Sequence, residues 1–475
     1  MTGAARSGGD DEGKRVKRRR GRGLGALSGA AAMCVGLCAV VGSVGVLVAT
    51  AGPVWAAGEP SPYVFDPAGK RVAGAMSTSD AKPLGTGGTY RDAIRPGGKL
   101  VYRLDLEART SDYLSAVAVP RPGTEVAYGD QIKVSLQNRE GADCAASSSH
   151  FGSAGFPRPL AAYAYRLTDR SGSRCAEAGT YFLVIERESG DASSADPWEL
   201  EIRHVSEPAL TEAGPTTAPS EWPSASPEPP EAAAGGPLER EGGTGFNDAK
   251  GLTRGEWTAK IEPGESLFYR VPVDWGQQLF ASADLGSSEG SGYVSGALTL
   301  ALYNPARGLV GTGNSVSYNG KQNTTSLTPL PPAAYENRFS PRSGVRDMRF
   351  AGWYYLEISL DPEVGATFGA KPYGLTLRVN VEGQANAGPG YAGSAGDFTV
   401  TPEMRTGALH GQDGQEAARS DRMALVATAG IGSGTVLLLG LGVWTLLARR
   451  RAAPEQPTRS TQPTQPYGGQ PPSAW

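Results

Sequence analysis

Apolar and polar side chains alternate along several short stretches of the chain. One such stretch runs from Leu100 to Leu106, and a later one runs from Leu267 to Val273. A period of two is typical of half-buried β-strands. Clusters of glycine and proline separate the stretches, and no convincing helical period occurs between residues 57 and 422. The pattern therefore predicts an all-β chain built from antiparallel β-sandwiches of a jelly-roll-like kind.

The same pattern occurs twice. The stretch Ile94-x-Pro96-Gly97-x-x-Leu100-x-Tyr102-Arg103 returns 167 residues later as Ile261-x-Pro263-Gly264-x-x-Leu267-x-Tyr269-Arg270. Further along, Gly179-x-Tyr181-Phe182 matches Gly352-x-Tyr354-Tyr355 at a shift of 173 residues. A shift that drifts slowly is expected when loops change length and strands do not, and such self-similarity marks a duplicated domain. We predict two superposable sandwiches, over residues 61–205 and 244–382.

Composition suggests how the two copies are connected. Residues 206–243 are rich in proline, which predicts an extended, semi-stiff linker that does not fold. Residues 383–422 are rich in glycine, alanine and polar side chains. This second segment is interpreted as a flexible stalk between the sandwiches and the membrane.

The repeat unit resembles the bacterial pre-peptidase C-terminal β-sandwich. The matching elements are a Pro-Gly turn, a strand of the Leu-x-Leu-x-Leu-Tyr type, a Gly-x-Tyr strand and a closing Tyr-x-Leu strand. They stand here at Pro96-Gly97, Leu298–Tyr303, Gly179-x-Tyr181 and Tyr373-x-Leu375. The resemblance implies an accessory, non-catalytic module of secreted proteins, and some relatives bind matrix or polysaccharide. The chain departs from the family by lacking a peptidase domain and by long insertions at 137–178 and 303–351.

The amino-terminal segment predicts export. A basic run from Lys14 to Arg22 precedes an apolar stretch and small residues up to Ala57. This order is typical of a secretory signal, here residues 1–56 with cleavage after Ala56. An uncleaved membrane helix is the alternative, because the apolar stretch is longer than most signal cores.

The carboxy-terminal segment predicts a membrane anchor. Residues 423–448 contain no charged side chain, and Arg449-Arg450-Arg451 follow directly. A span of this length can cross a bilayer, and arginines favour the cytoplasmic side. The tail 449–475, rich in proline, glutamine and threonine, is expected to be disordered and cytoplasmic. The expected location is therefore the cell membrane, single-pass, with an extracellular ectodomain.

The charge of the ectodomain limits its partners. Residues 57–422 carry 33 Lys and Arg against 44 Asp and Glu, a net charge of −11. An acidic surface argues against nucleic-acid binding, which requires a basic face. Over the whole chain arginine outnumbers lysine 35 to 10, and glycine, alanine and proline abound, which suggests a high-GC bacterial genome.

Two cysteines remain after the signal, Cys144 and Cys175. In an oxidising compartment a single disulfide is the natural pairing, and it should place their Cα atoms within about 7 Å. Two cysteines without nearby histidines do not make a zinc site. No metal and no cofactor is predicted.

The sequence contains no recognisable catalytic motif. Its three histidines, His150, His204 and His410, are far apart, and neither a nucleophile elbow nor a phosphate loop is present. We therefore expect a protein that is not an enzyme and has no catalytic residues.

One repeated motif suggests a ligand. Ala-Ala-Tyr-x-x-Arg-(Leu/Phe)-x-x-Arg-Ser-Gly occurs in both insertions. Arginine offers a planar, bidentate donor and tyrosine a stacking face. The candidate ligand-binding residues are Tyr163, Arg166, Arg170, Tyr335, Arg338 and Arg342. If they bind, each set of three should share one exposed face; if they are scaffold, the tyrosines should be buried with bonded hydroxyls.

These features favour a non-catalytic surface protein whose tandem modules bind cell-wall polysaccharide or an extracellular protein. The alternative is a structural or accessory subunit of a secreted enzyme or secretion complex, without a ligand of its own. Exposed aromatic side chains along one sheet face would favour glycan binding.

Overall fold

A computed structural model describes residues 60–168, 175–225, 236–417, 419 and 438–449. The predicted signal segment, most of the predicted membrane span, nearly all of the tail and Arg170 lie outside these residues. Residues 438–449 are helical. Within the described part of the chain, no helix combines the length and the hydropathy needed to span a bilayer.

The first domain consists of two five-stranded sheets. In the described residues its strands are β1 (Lys70–Arg71), β2 (Lys82–Pro83), β3 (Thr89–Ile94), β4 (Lys99–Leu106), β5 (Thr110–Val119), β6 (Gln131–Gln137), β7 (Asp143–His150), β8 (Leu160–Arg166), β9 (Gly179–Glu188) and β10 (Trp198–Pro208). The sheet orders are β1-β3-β10-β5-β8 and β2-β4-β9-β6-β7. The inward positions of both sheets, among them Leu104, Leu114 and Ile202, form one apolar core.

The second domain repeats this arrangement. Its strands are β11 (Leu238–Glu239), β12 (Lys250–Gly251), β13 (Gly255–Ile261), β14 (Ser266–Val273), β15 (Gln278–Leu285), β16 (Val294–Tyr303), β17 (Leu309–Thr312), β18 (Val316–Tyr318), β19 (Asn323–Ser326), β20 (Gly352–Leu360) and β21 (Tyr373–Glu382). The sheet orders are β11-β13-β21-β15-β19 and β12-β14-β20-β16-β17, with β18 also paired to β16.

The two domains share strand order and pairing register. Trp198 pairs with Ile94 in the first domain, and Tyr373 pairs with Ile261 at the equivalent place in the second. The described residues are mainly β-structure, as predicted, and the duplicated pattern corresponds to duplicated topology. The apolar period specifies register because a slip of one residue would turn every core side chain outward.

Short helices appear where the apolar pattern predicted none. They are a 3-10 helix (Tyr335–Phe339), α1 (Ser343–Arg346), α2 (Pro362–Phe368) and α3 (Pro402–His410). The expectation of no helix outside the membrane segments is wrong here, because elements this short do not establish a helical period. Their signals are local: Asp361 and Thr401 cap α2 and α3 through their side chains, and a proline follows each cap.

The two sandwiches pack against each other through outer sheet faces. Val117 of β5 and Ala161 of β8 belong to the same apolar cluster as Phe268, Tyr303 and Tyr355 of the second domain. At its centre the ring of Phe246 lies 5.0–5.2 Å from three aromatic rings of the second domain. Strand β5 is consequently buried on both faces, which explains its nearly continuous run of buried residues.

The carboxy-terminal segment is packed rather than free. Phe398 is fully buried and stacks on Phe350, with ring centroids 4.6 Å apart. Lys250 next to strand β14 binds Asp413 at 2.8 Å, and Arg405 of α3 binds Asp274 at 2.6 Å. These contacts contradict the prediction of a flexible stalk for described residues 383–417. The physical reason is that a few large side chains anchor a segment whose average composition is small and polar.

The described part of the proline-rich linker also lies on the second domain. Residues up to Pro208 belong to β10. Leu210 bridges to Tyr391 through the backbone, and the carbonyl of Pro223 accepts a hydrogen bond from Gln278 at 2.9 Å. The prediction of an independent, unpacked spacer is therefore wrong for residues 206–225.

Candidate functional site

The predicted ligand-binding side chains of the first copy are buried. Tyr163 and Arg166 lie on β8. Tyr163 donates a hydrogen bond to Asp347 of the second domain and accepts one from Arg349 at 2.9 Å. Arg166 binds Asp112 at 2.9 Å and donates to backbone carbonyl groups. An exposed face shared by Tyr163 and Arg166 is therefore excluded, because Tyr163 packs against the second domain while Arg166 points to the opposite side of β8 and is buried inside the first domain.

The second copy of the motif has a different structure. Tyr335 and Arg338 lie in the 3-10 helix rather than on a strand. Both are buried, and the guanidinium of Arg338 lies 3.4 Å from the centroid of the Tyr335 ring. Arg342 is exposed and lies 4.6 Å from the ring of Trp222 in the linker. The expectation of an exposed Tyr335–Arg338–Arg342 face is wrong, and ligand binding by these residues stays a prediction.

Buried ion pairs connect the two domains. Arg338 binds Glu207 of β10 at 2.6 Å, with both side chains 1% exposed. Arg307, in the turn between β16 and β17, binds Glu201 on the outer face of β10. Burial alone would lower the pKa of each arginine, but its glutamate partner raises the pKa above the ordinary value. Both arginines therefore remain charged inside the interface.

The sequence contained no signal for these pairs. Glu201 and Glu207 stand at alternate, outward positions of β10, which is the pattern of a solvated strand face. Only the docking of the second domain buries them. Tyr63 and Asn247 complete the hydrogen bonds of Glu201, so the carboxylate is well satisfied.

A cavity with both polar and apolar lining opens between the domains, and we name it the interdomain groove. Its volume is about 460 Å³. Tyr128, His150 and Arg158 of the first domain line one side, and Thr299, Tyr303 and Glu357 of the second line the other. Cavities at domain interfaces with a few convergent polar groups are common ligand sites.

Glu357 lies at the buried side of this groove. It projects from the outer face of β20, where its carboxylate accepts a hydrogen bond from the Tyr303 hydroxyl at 2.8 Å. Burial raises the pKa of Glu357 to about 7, although bonding to Tyr303 opposes the shift. Among the described residues, Glu357 takes part in no ion pair.

Arg158 faces the same cavity, and both of its terminal nitrogens donate to backbone carbonyls. Its Nη1 donates to the carbonyl of Ala154 at 2.6 Å, and its Nη2 donates to that of Phe151 at 2.9 Å. Burial lowers the pKa of Arg158, while the charge of Glu357 opposes this. The guanidinium therefore stabilises the β7–β8 loop through these backbone carbonyls.

The predicted disulfide is confirmed. Cys144 and Cys175 are bonded, with Cα atoms 5.7 Å apart. Cys144 lies near the start of β7, the strand whose last residue is the groove residue His150. The bridge therefore attaches the groove's edge strand to the segment that precedes β9.

No set of three or more His, Cys, Asp or Glu side chains suited to a metal ion occurs within residues that the structure describes. Asp112 does gather several groups, since His204 lies 3.1 Å from it and Arg166 at 2.9 Å. All three are buried inside the first domain.

Comparison with known proteins identifies no family for the chain. No protein-family model matches the chain, and no curated protein matches it. Among solved structures it is similar to the CBM22-1-CBM22-2 tandem domain from Paenibacillus barcinonensis Xyn10C, at 12% identity, covering 62% of this chain and 86% of that one, with a TM-score of 0.17. The ANX1 ectodomain from Arabidopsis thaliana shows 10% identity, coverages of 66% and 93%, and a TM-score of 0.18.

The CUB1-EGF-CUB2 domain of human MASP-1/3 is a third example. It shows 8% identity, coverages of 62% and 99%, and a TM-score of 0.16. At TM-scores this low, we draw no functional conclusion from these structures.

Proposed function

We propose that the protein is a non-catalytic, membrane-anchored surface protein whose two β-sandwiches act as one rigid body that binds an extracellular partner. The observation that carries this proposal is the interdomain interface, with its buried Glu201–Arg307 and Glu207–Arg338 pairs. Each buried glutamate of the first domain is paired with an arginine of the second, so both pairs form together only in one relative arrangement of the two domains.

Rigidity supports a binding role. A partner that meets a preformed surface does not have to restrict the relative motion of two tethered modules, and this lowers the entropic cost of association. The interface also creates the interdomain groove, which neither sandwich would possess alone because each contributes one side. We propose cell-wall polysaccharide as the partner class, with an extracellular protein as the alternative.

Membrane anchoring rests on the carboxy-terminal sequence. The charge-free residues 423–448 are followed by three arginines. In the described helical residues, large apolar side chains such as Leu438, Val443 and Trp444 are exposed. A bilayer would cover them, with the sandwiches outside the cell and the carboxy terminus in the cytoplasm. Descent of each sandwich from a pre-peptidase C-terminal module is part of the same proposal.

The test is a retention experiment with the full-length protein in a mild detergent. The purified protein is incubated separately with insoluble cell-wall polymer and with solubilised membrane proteins of the same bacterium. We expect the protein to stay bound to the polymer at an ionic strength of about 0.15 M, where the Debye length is about 8 Å and attraction between distant surface charges is screened. An unrelated acidic protein should wash off under the same conditions. Absence of retention on both fractions contradicts a binding role and favours an accessory subunit without a ligand.

A further inference from the structure

We propose that the interdomain groove binds a saccharide unit, with Glu357 accepting hydrogen bonds from its hydroxyl groups and Tyr128 packing against its C–H face. This inference rests on the proposed binding function and names the site and the ligand class. It is carried by the geometry of the groove, in which each side comes from a different domain.

The carboxyl group of Glu357 has unused capacity to accept hydrogen bonds. An ionised carboxylate can accept about four hydrogen bonds. Among the described residues, the side-chain donors to Glu357 are Tyr303 at 2.8 Å and Ser359 at 3.4 Å. A carboxylate that borders a cavity and is paired with no cation there can accept further hydrogen bonds from a ligand.

The groove is also lined by uncharged polar side chains. Ser148, Thr299, Thr312 and Asn314 bring hydroxyl and amide groups to the groove. These groups both donate and accept hydrogen bonds, as the hydroxyl groups of a sugar do. An anionic ligand would meet the carboxyl group of Glu357, which borders the groove, and both terminal nitrogens of Arg158 already donate to backbone carbonyls. A simple cation would use only acceptors and would leave the donors of the lining unpaired.

Tyr128 brings an exposed aromatic ring to the groove. It lines the groove while 68% of its surface is exposed, and it lies 6.4 Å from the His150 ring. A rigid, amphipathic aromatic ring at the opening of a cavity can cover the apolar face of a ligand while the tyrosine hydroxyl stays in water. The groove volume of about 460 Å³ falls within the range of small-molecule sites.

The chain offers a matched control for this ring. Tyr293 is also 68% exposed, but it lies outside the groove, where its hydroxyl donates to Ser317 at 2.8 Å. Substitution of either tyrosine by alanine removes the same side chain from an exposed position. Any difference in binding between the two variants therefore reports on location rather than on folding.

The experiment uses the full-length protein in detergent on an array of oligosaccharides that includes bacterial cell-wall fragments. The strongest binder is then titrated by calorimetry against the wild type and the Tyr128→Ala, Tyr293→Ala and Glu357→Gln variants. We expect Tyr128→Ala and Glu357→Gln each to weaken binding about tenfold, as loss of one good contact does. Tyr293→Ala should bind within about twofold of the wild type, since it removes no groove contact.

Three outcomes overturn the inference: no oligosaccharide binds, the variants at positions 128 and 357 bind as the wild type does, or Tyr293→Ala weakens binding equally. Tyr128 is exposed, so Tyr128→Ala tests the groove even if the buried Glu357→Gln variant fails to fold. If the protein is retained on a membrane protein but binds no oligosaccharide, the site assignment fails and the binding role stands. If nothing is retained in either experiment, the proposed function itself fails.

Discussion

Two arginine–carboxylate pairs have the same closest N–O distance but very different burial, and they provide a test of the interdomain interface. In both pairs an Nη2 atom lies 2.6 Å from a carboxylate oxygen. Arg338 and Glu207 are each 1% exposed, whereas Arg405 is 49% and Asp274 is 14% exposed. The perturbation is Arg338→Met, with Arg405→Met as its control.

The expected magnitudes follow from burial. Arg338→Met leaves the charge of Glu207 inside the interface, with hydrogen bonds from the hydroxyls of Tyr113 and Tyr391 at 2.7 Å each as its remaining support. Breaking a buried pair costs about 3–5 kcal/mol, and the two tyrosine bonds place the expected loss near the lower value, ~3 kcal/mol. Arg405→Met should cost at most ~1 kcal/mol, because water screens an exposed pair.

The assay is guanidinium chloride unfolding of the full-length protein in one detergent, followed by tryptophan fluorescence. The double variant Glu207→Gln with Arg338→Met should recover part of the loss, because no charge is then buried. Equal losses for Arg338→Met and Arg405→Met would refute the reasoning, and so would a double variant less stable than Arg338→Met alone. A confirmed loss would also mean that Arg338 acts as scaffold.

The remaining predictions concern Glu357, the disulfide and one glycine. Because burial raises the pKa of Glu357 to about 7, the folded state holds this proton more tightly than the unfolded state. Stability should therefore fall as pH rises from about 4.5 to 7, by ~3 kcal/mol from this group. Glu357→Gln should remove that part of the slope between about pH 4.5 and pH 7, and an unchanged slope would contradict the assignment. Replacing Cys144 and Cys175 by serine opens a loop with a sequence separation of 31 and should lower the unfolding free energy by about 3–4 kcal/mol. Dithiothreitol should destabilise the wild type but not this variant; equal sensitivity would refute the prediction. A Cβ at Gly308 would lie 2.5 Å from the Tyr163 ring, so Gly308→Ala should cost about 1–3 kcal/mol. A loss of unfolding free energy below ~0.5 kcal/mol in the same assay would show that the Tyr163 ring can move aside at little cost.

The sequence by itself determined the all-β class, the principal alternating strands and their duplication. Ile94 and Trp198 in one domain, and Ile261 and Tyr373 in the other, take equivalent paired positions, because a period of two specifies which face of a strand leaves water. The disulfide was also predictable, since two cysteines in an oxidising compartment allow a single pairing.

Only the tertiary structure decided what covers the outer faces. Glu201 and Glu207 look like solvated positions in the sequence, yet the second domain buries them against Arg307 and Arg338. For the same reason the sequence left open whether the repeated Tyr–Arg motif is an exposed ligand face or scaffold, whereas the structure buries Tyr163 between the domains. Alternation along a strand reports a difference between its two faces, and it carries no information on a partner supplied by distant parts of the chain. The interdomain groove is subject to the same limit, because its two sides meet only when both domains are folded and docked.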